Sequence, residues 1–79
     1  MSTAPIYEQL TTIMRDLFDN DGLVVTPELT AKEVEGWDSL AHIRLILLVE
    51  KTFKIKFSAS QINNLKNVGE LVALIQSKL

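Results

Sequence analysis

The sequence contains no cysteine, so disulfide bonds and thiolate zinc sites cannot stabilise the chain. Its longest apolar run, Leu45 to Val49, is too short to cross a membrane. Residues 1–10 contain no basic region followed by an apolar stretch, which a secretory signal would require. We therefore predict a chain without a membrane span, located in the reducing cytoplasm and held together by side-chain packing alone.

Charge is nearly balanced overall but unevenly distributed. Ten acidic and eight basic side chains give a net charge of −2, which argues against strong binding to nucleic acid. From Asp16 to Asp38 there are seven acids and one base, Lys32. Between Ser39 and Lys56 the only acid is Glu50, and the bases are Arg44, Lys51, Lys54 and Lys56. This second stretch is either an ordinary solvated helix surface or a docking surface for a partner.

The length of 79 residues and the lack of internal repeats predict a single domain, spanning residues 1–79, with one small core. Apolar residues at helical spacing predict a first helix from about Thr3 to about Asp19, with Pro5 tolerated in its first turn. These residues are Ile6, Leu10, Ile13, Met14 and Leu17. The segment from Asp19 to Gly22 should then end the helix, with Gly22 in the left-handed conformation.

Between Asn20 and Trp37 the sequence shows no helical period, only scattered apolar residues between turn-forming ones. We expect a long loop that these apolar side chains pin across the bundle, with Trp37 packing at its end. The expected anchors are Leu23, Val24, Val25, Leu29, Val34 and Trp37.

A calcium-binding loop is the alternative for the start of this segment. The residues that partly fit the EF-hand pattern are Asp19, Asp21, Gly22 and Glu28. However, the first ligand position of that pattern falls on Leu17, and Pro27 stands where the next helix should begin. A helix stop and turn is therefore favoured, and we expect no metal site.

The stretch from Gly36 to Leu40, Gly-Trp-Asp-Ser-Leu, predicts a turn followed by the start of a second helix. The Asp38 carboxylate can accept from the first free N–H groups of that helix, which places Ser39 in its first turn near solvent. These N–H groups and the positive end of the helix dipole favour an anion, so a phosphate ester on the Ser39 hydroxyl would be stabilised there. Taken alone, Asp-Ser-Leu is also a common way to begin a helix.

At about 100° per residue the second helix has two apolar faces. The residues expected to face the core are Leu45, Ile46, Val49 and Phe53. A second apolar stripe on roughly the opposite side, flanked by Arg44 and Lys51, consists of Leu40, Ile43 and Leu47. Because a domain of this size has too little core to bury both faces, the second stripe is a candidate partner-binding face.

His42 lies three residues after Ser39, a spacing that would also suit a base beside a nucleophile. No third group that would orient the imidazole is apparent, and there is no room for a substrate pocket, so hydrolase chemistry is disfavoured. We expect a helix-surface or partly packed histidine, no catalytic residues and no enzymatic activity.

Two further helix starts follow. Ser58 to Gln61 has the form of a capping box and should begin a short third helix carrying Ile62 and Leu65. Asn67 to Glu70 repeats the pattern before a final amphipathic helix, which should end near Lys78 and bury Val68, Leu71, Val72 and Ile75. The expected fold class is all-α: a small four-helix bundle with three longer helices, one short helix and a long loop between the first two.

With this order of elements, the chain resembles the acyl carrier proteins of the phosphopantetheine-binding carrier family, which also includes the peptidyl and aminoacyl carriers. The resemblance covers nearly all of the sequence. It rests on the order and length of the helices, on Gly36-Trp37-Asp38-Ser39-Leu40 and on Phe53-Lys54-Ile55-Lys56-Phe57.

The resemblance implies that a phosphopantetheinyl transferase, using coenzyme A and magnesium, joins 4′-phosphopantetheine to Ser39 through a phosphodiester, with Asp38 supporting the site. The thiol of this arm would carry an acyl group as a thioester, loaded by an acyl or aminoacyl ligase. The carrier would catalyse nothing itself and would present the acyl group to acyltransferases and synthases of fatty acid, polyketide or related biosynthesis. Separately from the resemblance, we expect a monomer. The positions that would face these partner enzymes are Leu40, Ile43 and Leu47.

One departure concerns the second helix, which is strongly acidic in carriers of general fatty acid synthesis. Here the matching positions include His42, Arg44 and Lys51, and a reversed charge weakens encounter with a basic enzyme surface. We therefore predict a specialised free-standing carrier for a dedicated acyl, polyketide or aminoacyl pathway. The alternatives are an aminoacyl or peptidyl carrier and, from another class, an unmodified helical interaction domain that would be indifferent to Ser39→Ala.

Overall fold

The computed structural model describes residues 3–79, which form four α-helices and one short 3-10 turn. The helices are α1, Ala4–Leu17; α2, Ser39–Phe53; α3, Ala59–Asn63; and α4, Val68–Lys78; the 3-10 turn is Ala31–Glu33. The expected all-α bundle is confirmed, and each predicted helix begins and ends within a few residues of the observed one. One correction is that α3 ends at Asn63, so Leu65, which was expected within it, lies beyond its end. None of the helices in the described part of the chain has the length and apolar character needed to cross a membrane.

The core lies where α1 packs against α2 and α4. The side chains that are almost entirely removed from solvent are Leu10, Met14, Leu45, Ile46, Val49, Val68, Leu71 and Ile75. Each belongs to an apolar stripe that the sequence period predicts, and burying a side chain of this kind contributes about 1.5–3 kcal/mol. No buried polar side-chain atom among residues 3–79 lacks a hydrogen-bond partner.

The long loop between α1 and α2 is pinned to the bundle by apolar side chains, as expected. Leu23, Leu29 and Val34 are buried, but Val24 is 67% exposed and is not an anchor. The expectation that Val24 is an anchor is therefore wrong: its side chain faces solvent, while that of its neighbour Leu23 is buried. The Nε–H of Arg15 donates to the Leu23 carbonyl over 2.8 Å and ties the loop to α1.

The same loop also supports the start of α4. The N–H of Val68 donates to the Leu29 carbonyl and that of Gly69 to the Pro27 carbonyl, both over 2.9 Å. A Cβ at position 69 would lie 3.0 Å from the Pro27 oxygen, so any larger residue would have to push the two backbones apart by a few tenths of an ångström. Two N–H groups that a helix start leaves free are thereby satisfied by loop carbonyls.

The end of α1 corrects one expectation. The left-handed residue is Asp19, with a φ of 50°, and not Gly22. The N–H of Asp19 donates to the Asp16 carbonyl and that of Asn20 to the Arg15 carbonyl, which is the Schellman pattern. These bonds place the positive φ directly after the last helical turn, and aspartate tolerates that conformation better than most residues.

A left-handed residue without a sequence signal ends α2. Lys54 has a φ of 58°, and the N–H of Ile55 donates to the Glu50 carbonyl over 3.1 Å. The Glu50 carboxylate accepts from the N–H of Phe57 over 2.8 Å. The backbone and the side chain of Glu50 therefore both fix the turn that leads from α2 to α3.

The caps of the last two helices match the sequence pattern almost completely. At α3 both halves of the capping box form, between Ser58 and Gln61. At α4 the Asn67 side chain accepts from the N–H of Glu70 over 2.9 Å, but the Glu70 carboxylate accepts from the N–H of Lys66 rather than that of Asn67. The reciprocal half of the second box is thus shifted by one residue.

Candidate functional site

The start of α2 is fixed by a turn and a cap. Gly36 adopts a φ of +89°, which side-chain-bearing residues rarely adopt, and the N–H of Asp38 donates to its carbonyl over 3.1 Å. This turn leaves Asp38 extended, and its carboxylate accepts from the N–H of Ala41 over 2.9 Å. The N-cap predicted at Asp38 is confirmed, and α2 begins at Ser39.

Ser39 is exposed, and its hydroxyl has no hydrogen-bond partner among the described residues. Asp38 does the capping, so the serine side chain is not needed for it. The N–H groups of Ser39 and Leu40 have no acceptor within the helix, and the helix dipole adds partial positive charge at this end. A nucleophilic oxygen is thus free beside a site that favours a phosphate group.

A groove of about 450 Å³ opens next to Ser39, between the start of α2, the end of the loop and α3. We call it the Ser39 groove and define it by Trp37, Ser39, His42, Ile62, Leu65 and Lys66, which all line it. Its lining combines aromatic, aliphatic and polar groups. The groove corrects the expectation that the chain has no room for a pocket, which failed because the residues that form it come from three separate segments.

His42 is oriented more firmly than its place in the sequence suggests. The indole Nε1–H of Trp37 donates to Nδ1 of His42 over 3.2 Å, and Nε2 of His42 lies 3.4 Å from the Ile62 carbonyl. We assign the proton to Nε2 from these two contacts, since Nδ1 must accept from the indole. Trp37 also stacks on His42 and packs against Phe18, with ring centroids 6.0 and 5.8 Å apart.

These contacts correct the expectation that nothing orients the imidazole, since the indole and a carbonyl both do. They also bear on the hydrolase alternative. Both ring nitrogens of His42 are engaged, and no hydrogen bond joins the imidazole to Ser39 within the described residues. The geometry therefore lacks the nucleophile–base pair that such chemistry requires.

The second apolar stripe of α2 faces solvent, as predicted. Leu40, Ile43 and Leu47 are 60%, 54% and 58% exposed. Arg44 and Lys51 are exposed beside them and have no ion-pair partner among residues 3–79. We call these five residues the partner face. Leu48, which is 39% exposed, borders it and was missed because its position on the helix lies between the two apolar arcs.

No group of three or more histidine, aspartate or glutamate side chains within residues 3–79 is arranged to hold a metal ion. Of the acidic side chains that partly fit the calcium pattern, Asp19 is the left-handed residue of the Schellman turn, and Asp21 and Glu28 follow it. The Asn20 side chain accepts from the N–H of Gly22 there, so the turn is held by its own hydrogen bonds.

Comparison with known proteins adds to this geometry. Residues 8–75 match the model of a family described as a phosphopantetheine attachment site. The acyl carrier protein of Onion yellows phytoplasma (strain OY-M) is 31% identical over 70 residues, covering 89% of this chain and 92% of that protein. The acyl carrier protein of Helicobacter pylori (strain J99 / ATCC 700824) is 30% identical over 71 residues, covering 90% and 91%.

The fold is similar to that of a holo acyl carrier protein from Geobacter metallireducens, whose solution structure was determined by NMR. The two superpose with a TM-score of 0.87 and share 43% sequence identity, covering 94% of this chain and 85% of that one. The similarity of fold therefore extends over nearly all of the chain.

Proposed function

This chain belongs to the acyl carrier proteins of the phosphopantetheine attachment family, and from that membership we propose that Ser39 bears its covalently attached 4′-phosphopantetheine. The observation that carries the proposal is the free, exposed hydroxyl of Ser39 at a helix start that Asp38 already caps. The residues fit the group: the oxygen is accessible, the N–H groups and dipole favour the phosphate, and the Ser39 groove adjoins it.

The attachment requires a phosphopantetheinyl transferase with coenzyme A and magnesium. The Ser39 oxygen forms a bond to the phosphorus that carries pantetheine, the pyrophosphate linkage of coenzyme A breaks, and the adenosine bisphosphate half leaves. The hydroxyl proton passes to the transferase. This chain presents the oxygen and stabilises the phosphodiester. His42 cannot take the proton in the observed arrangement, because its Nδ1 accepts from Trp37. The base therefore belongs to the transferase.

Acyl carrier proteins are in general not enzymes, and we propose that this chain acts only as a carrier. The thiol of the arm supplies the thioester that holds an acyl group. Since the sequence has no cysteine, that thiol is the only one on the modified chain. Residues 1–79 act as one carrier unit, which we propose to be a monomer in the cytoplasm, where reducing conditions keep the thiol free. Sedimentation of the modified chain and cell fractionation test these last two points; dimers or secretion would contradict them.

Acyl carrier proteins work with synthases and transferases, and we propose that the partner face docks these enzymes here. Three half-exposed aliphatic side chains next to Ser39 can fill an apolar depression on a partner, while Arg44 and Lys51 add positive charge at the rim. The matching partner surface is apolar with an acidic rim. This charge favours a dedicated acyl, polyketide or aminoacyl pathway over the general fatty acid enzymes.

Attachment is tested by intact-mass spectrometry after incubation with a promiscuous phosphopantetheinyl transferase, magnesium and coenzyme A. We expect a gain of one phosphopantetheinyl group in the unmodified chain and none in Ser39→Ala. Ser60→Ala is the matched control, since Ser60 is also exposed in the first turn of a helix. A gain that persists in Ser39→Ala would contradict the site. If the chain is folded and a control carrier is modified under the same conditions, the absence of a mass gain would contradict the carrier function.

Docking is tested by the rate of acyl transfer between the modified chain and its loading enzyme. Arg44→Glu with Lys51→Glu should slow transfer, mainly through a weaker encounter, because both charges at the rim are reversed. Lys56→Glu, an exposed change outside the partner face, is the control and should leave the rate unchanged. Equal rates of acyl transfer for the double variant and for Lys56→Glu would contradict docking through the partner face.

A further inference from the structure

A second depression lies beside Ser39, on the side of the α2 start that faces the end of α1. Its volume is about 310 Å³, and it is formed by the last residues of α1, the turn before Asp38 and the first turns of α2. We call it the acidic cleft and define it by six residues that line it: Phe18, Asp19, Glu35, Asp38, Leu40 and Arg44. Asp38 also lines the Ser39 groove, so the two depressions share the residue that precedes Ser39.

The apolar part of the acidic cleft is held in place by contacts within the chain. Phe18 and Leu40 line it from the two helices. The ring of Phe18 packs against that of Trp37 with 5.8 Å between centroids, and a Cβ at Gly36 would lie 3.9 Å from the Phe18 ring. Phe18 therefore joins the end of α1 to the turn that presents Ser39, and the cleft has a defined shape before any partner binds.

Two carboxylates of the acidic cleft are available to a partner. Asp19 and Glu35 are exposed, and neither side chain forms a hydrogen bond or an ion pair within residues 3–79. Their backbones are fixed nonetheless. The N–H of Asp19 donates to the Asp16 carbonyl over 3.3 Å, and the N–H of Trp37 donates to the Val34 carbonyl over 3.2 Å, which closes a turn around Glu35. Two unpaired negative charges are thus held at defined places next to an apolar surface.

The acidic cleft and the partner face are continuous but differ in charge. Leu40 and Arg44 belong to both, and Arg44 stands at the border between them. The stretch from Asp16 to Asp38, which supplies the acids of the cleft, has seven acids and one base. A partner with an acidic rim, as proposed for the partner face, is repelled by the cleft, whereas a partner with positive charge is attracted to it.

The transferase is the partner whose chemistry fits this charge. It must bring coenzyme A to Ser39, and the groups that hold phosphate are cationic: arginine, lysine or a bound metal ion. The opening of such a site is positive and faces the surface around Ser39 during attachment. In the acidic cleft, the stem of an arginine or lysine from the transferase can pack on Phe18 while its charged end meets Asp19 or Glu35.

We propose that the acidic cleft is the docking surface for the phosphopantetheinyl transferase, while the partner face serves the enzymes that load and use the arm. The proposal rests on the proposed attachment at Ser39. The carrier then presents opposite charges to the enzyme that modifies it and to the enzymes that act on it afterwards.

The rate of attachment tests the acidic cleft. Asp19→Asn with Glu35→Gln removes both free charges at nearly constant size, and asparagine tolerates the left-handed backbone of position 19. With the transferase of the intact-mass test, kcat/KM for the carrier should fall about 3- to 30-fold, mainly through KM, because two exposed charge pairs are lost. The loss should shrink at about 1 M salt, where charges are screened beyond about 3 Å.

Two further variants separate docking from a general defect. Asp21→Asn with Glu28→Gln is the matched control: it removes two exposed acids of the same loop that do not line the cleft, and it should leave the rate of attachment unchanged. Arg44→Gln removes the positive charge at the border of the two surfaces. It should speed attachment about 2- to 5-fold and slow acyl transfer with the loading enzyme, whereas a folding defect would slow both reactions.

Equal kcat/KM for the Asp19–Glu35 variant and its control would overturn the proposal. So would a loss that persists at high salt or that extends equally to acyl transfer. The original chain keeps this result apart from the proposed function. If it gains the phosphopantetheinyl group while all variants react at equal rates, attachment stands and only the docking surface fails. If the folded original chain gains no group, the proposed function fails and the docking surface fails with it.

Discussion

On one face of α2, Leu45, Ile46 and Val49 are almost completely buried, whereas on the opposite face Leu40, Ile43 and Leu47 are each more than half exposed. Both faces consist of the same kinds of aliphatic side chain. The buried face meets α1 in the core, and the exposed face has no covering element among the described residues. Side-chain type alone therefore does not distinguish a residue that stabilises the fold from one that is available for a partner.

The difference shows how one helix of a small domain can both form the core and remain available for a partner. The buried face supplies the apolar contacts that a short chain needs for stability. The exposed face begins at the turn that presents Ser39, so a partner that covers it lies next to the proposed attachment site. Substitutions on the two faces should thus have separable effects on folding and on transfer.

The largest effect should come from Leu45→Ala, which leaves a cavity in the core and should reduce the free energy of unfolding by about 2–5 kcal/mol. Leu47→Ala, the matched change on the exposed face, should cost less than about 0.5 kcal/mol. Urea unfolding followed by circular dichroism measures both. The contrast between the faces breaks down if the two variants are destabilised equally.

A smaller effect is expected at the start of the helix, where the buried and exposed faces share one cap. Asp38→Ala should reduce the free energy of unfolding by about 0.5–2 kcal/mol, because the N–H of Ala41 loses its acceptor. Asp38→Asn keeps an acceptor and loses only the interaction of the charge with the helix dipole, about 0.3–1 kcal/mol.

Thermal unfolding of the two Asp38 variants side by side provides the measurement. A loss in Asp38→Asn as large as that in Asp38→Ala would show that charge, rather than the hydrogen bond, stabilises this end. Modification of Ser39 in the folded fraction then reports whether Asp38 also supports attachment.

The smallest effect should be a gain at the other end of α2. Lys54→Gly should raise the free energy of unfolding by about 0.5–1 kcal/mol, because glycine adopts the left-handed conformation of position 54 without steric cost. The same change inside α2, in its last turn, Lys51→Gly, should lower it by up to about 1 kcal/mol. Differential scanning calorimetry compares the two variants. A lower stability of both would mean that the left-handed conformation of Lys54 carries no cost that glycine relieves.

Much of the fold follows from the sequence because it depends on local patterns. The apolar period predicts α1, both faces of α2 and the buried residues of α4, and the caps at Asp38, Ser58 and Asn67 mark the helix starts. In the candidate site, the free position of Ser39 and the exposure of the partner face also follow from such patterns.

Other features depend on contacts between distant segments or on details of backbone hydrogen bonding. The left-handed residue after α1 is Asp19 because the Schellman bonds place it there, although Gly22 carries the stronger sequence signal. The Ser39 groove and the contact of His42 with Ile62 need the packing of α3, which no periodicity gives. The close packing of Pro27 against Gly69 likewise could not be predicted, because it depends on the loop crossing the start of α4.

The turn after α2 has a consequence for how the chain meets other proteins in solution. Glu50, the only acid between Ser39 and Lys56, directs its carboxylate to the N–H of Phe57, while Arg44 and Lys51 extend from the exposed surface. The charge that an approaching enzyme meets on this helix is therefore mostly positive. Because dissolved ions screen such charges over about 10 Å at 0.1 M ionic strength, encounters of α2 with a partner that has the proposed acidic rim should slow as salt is added.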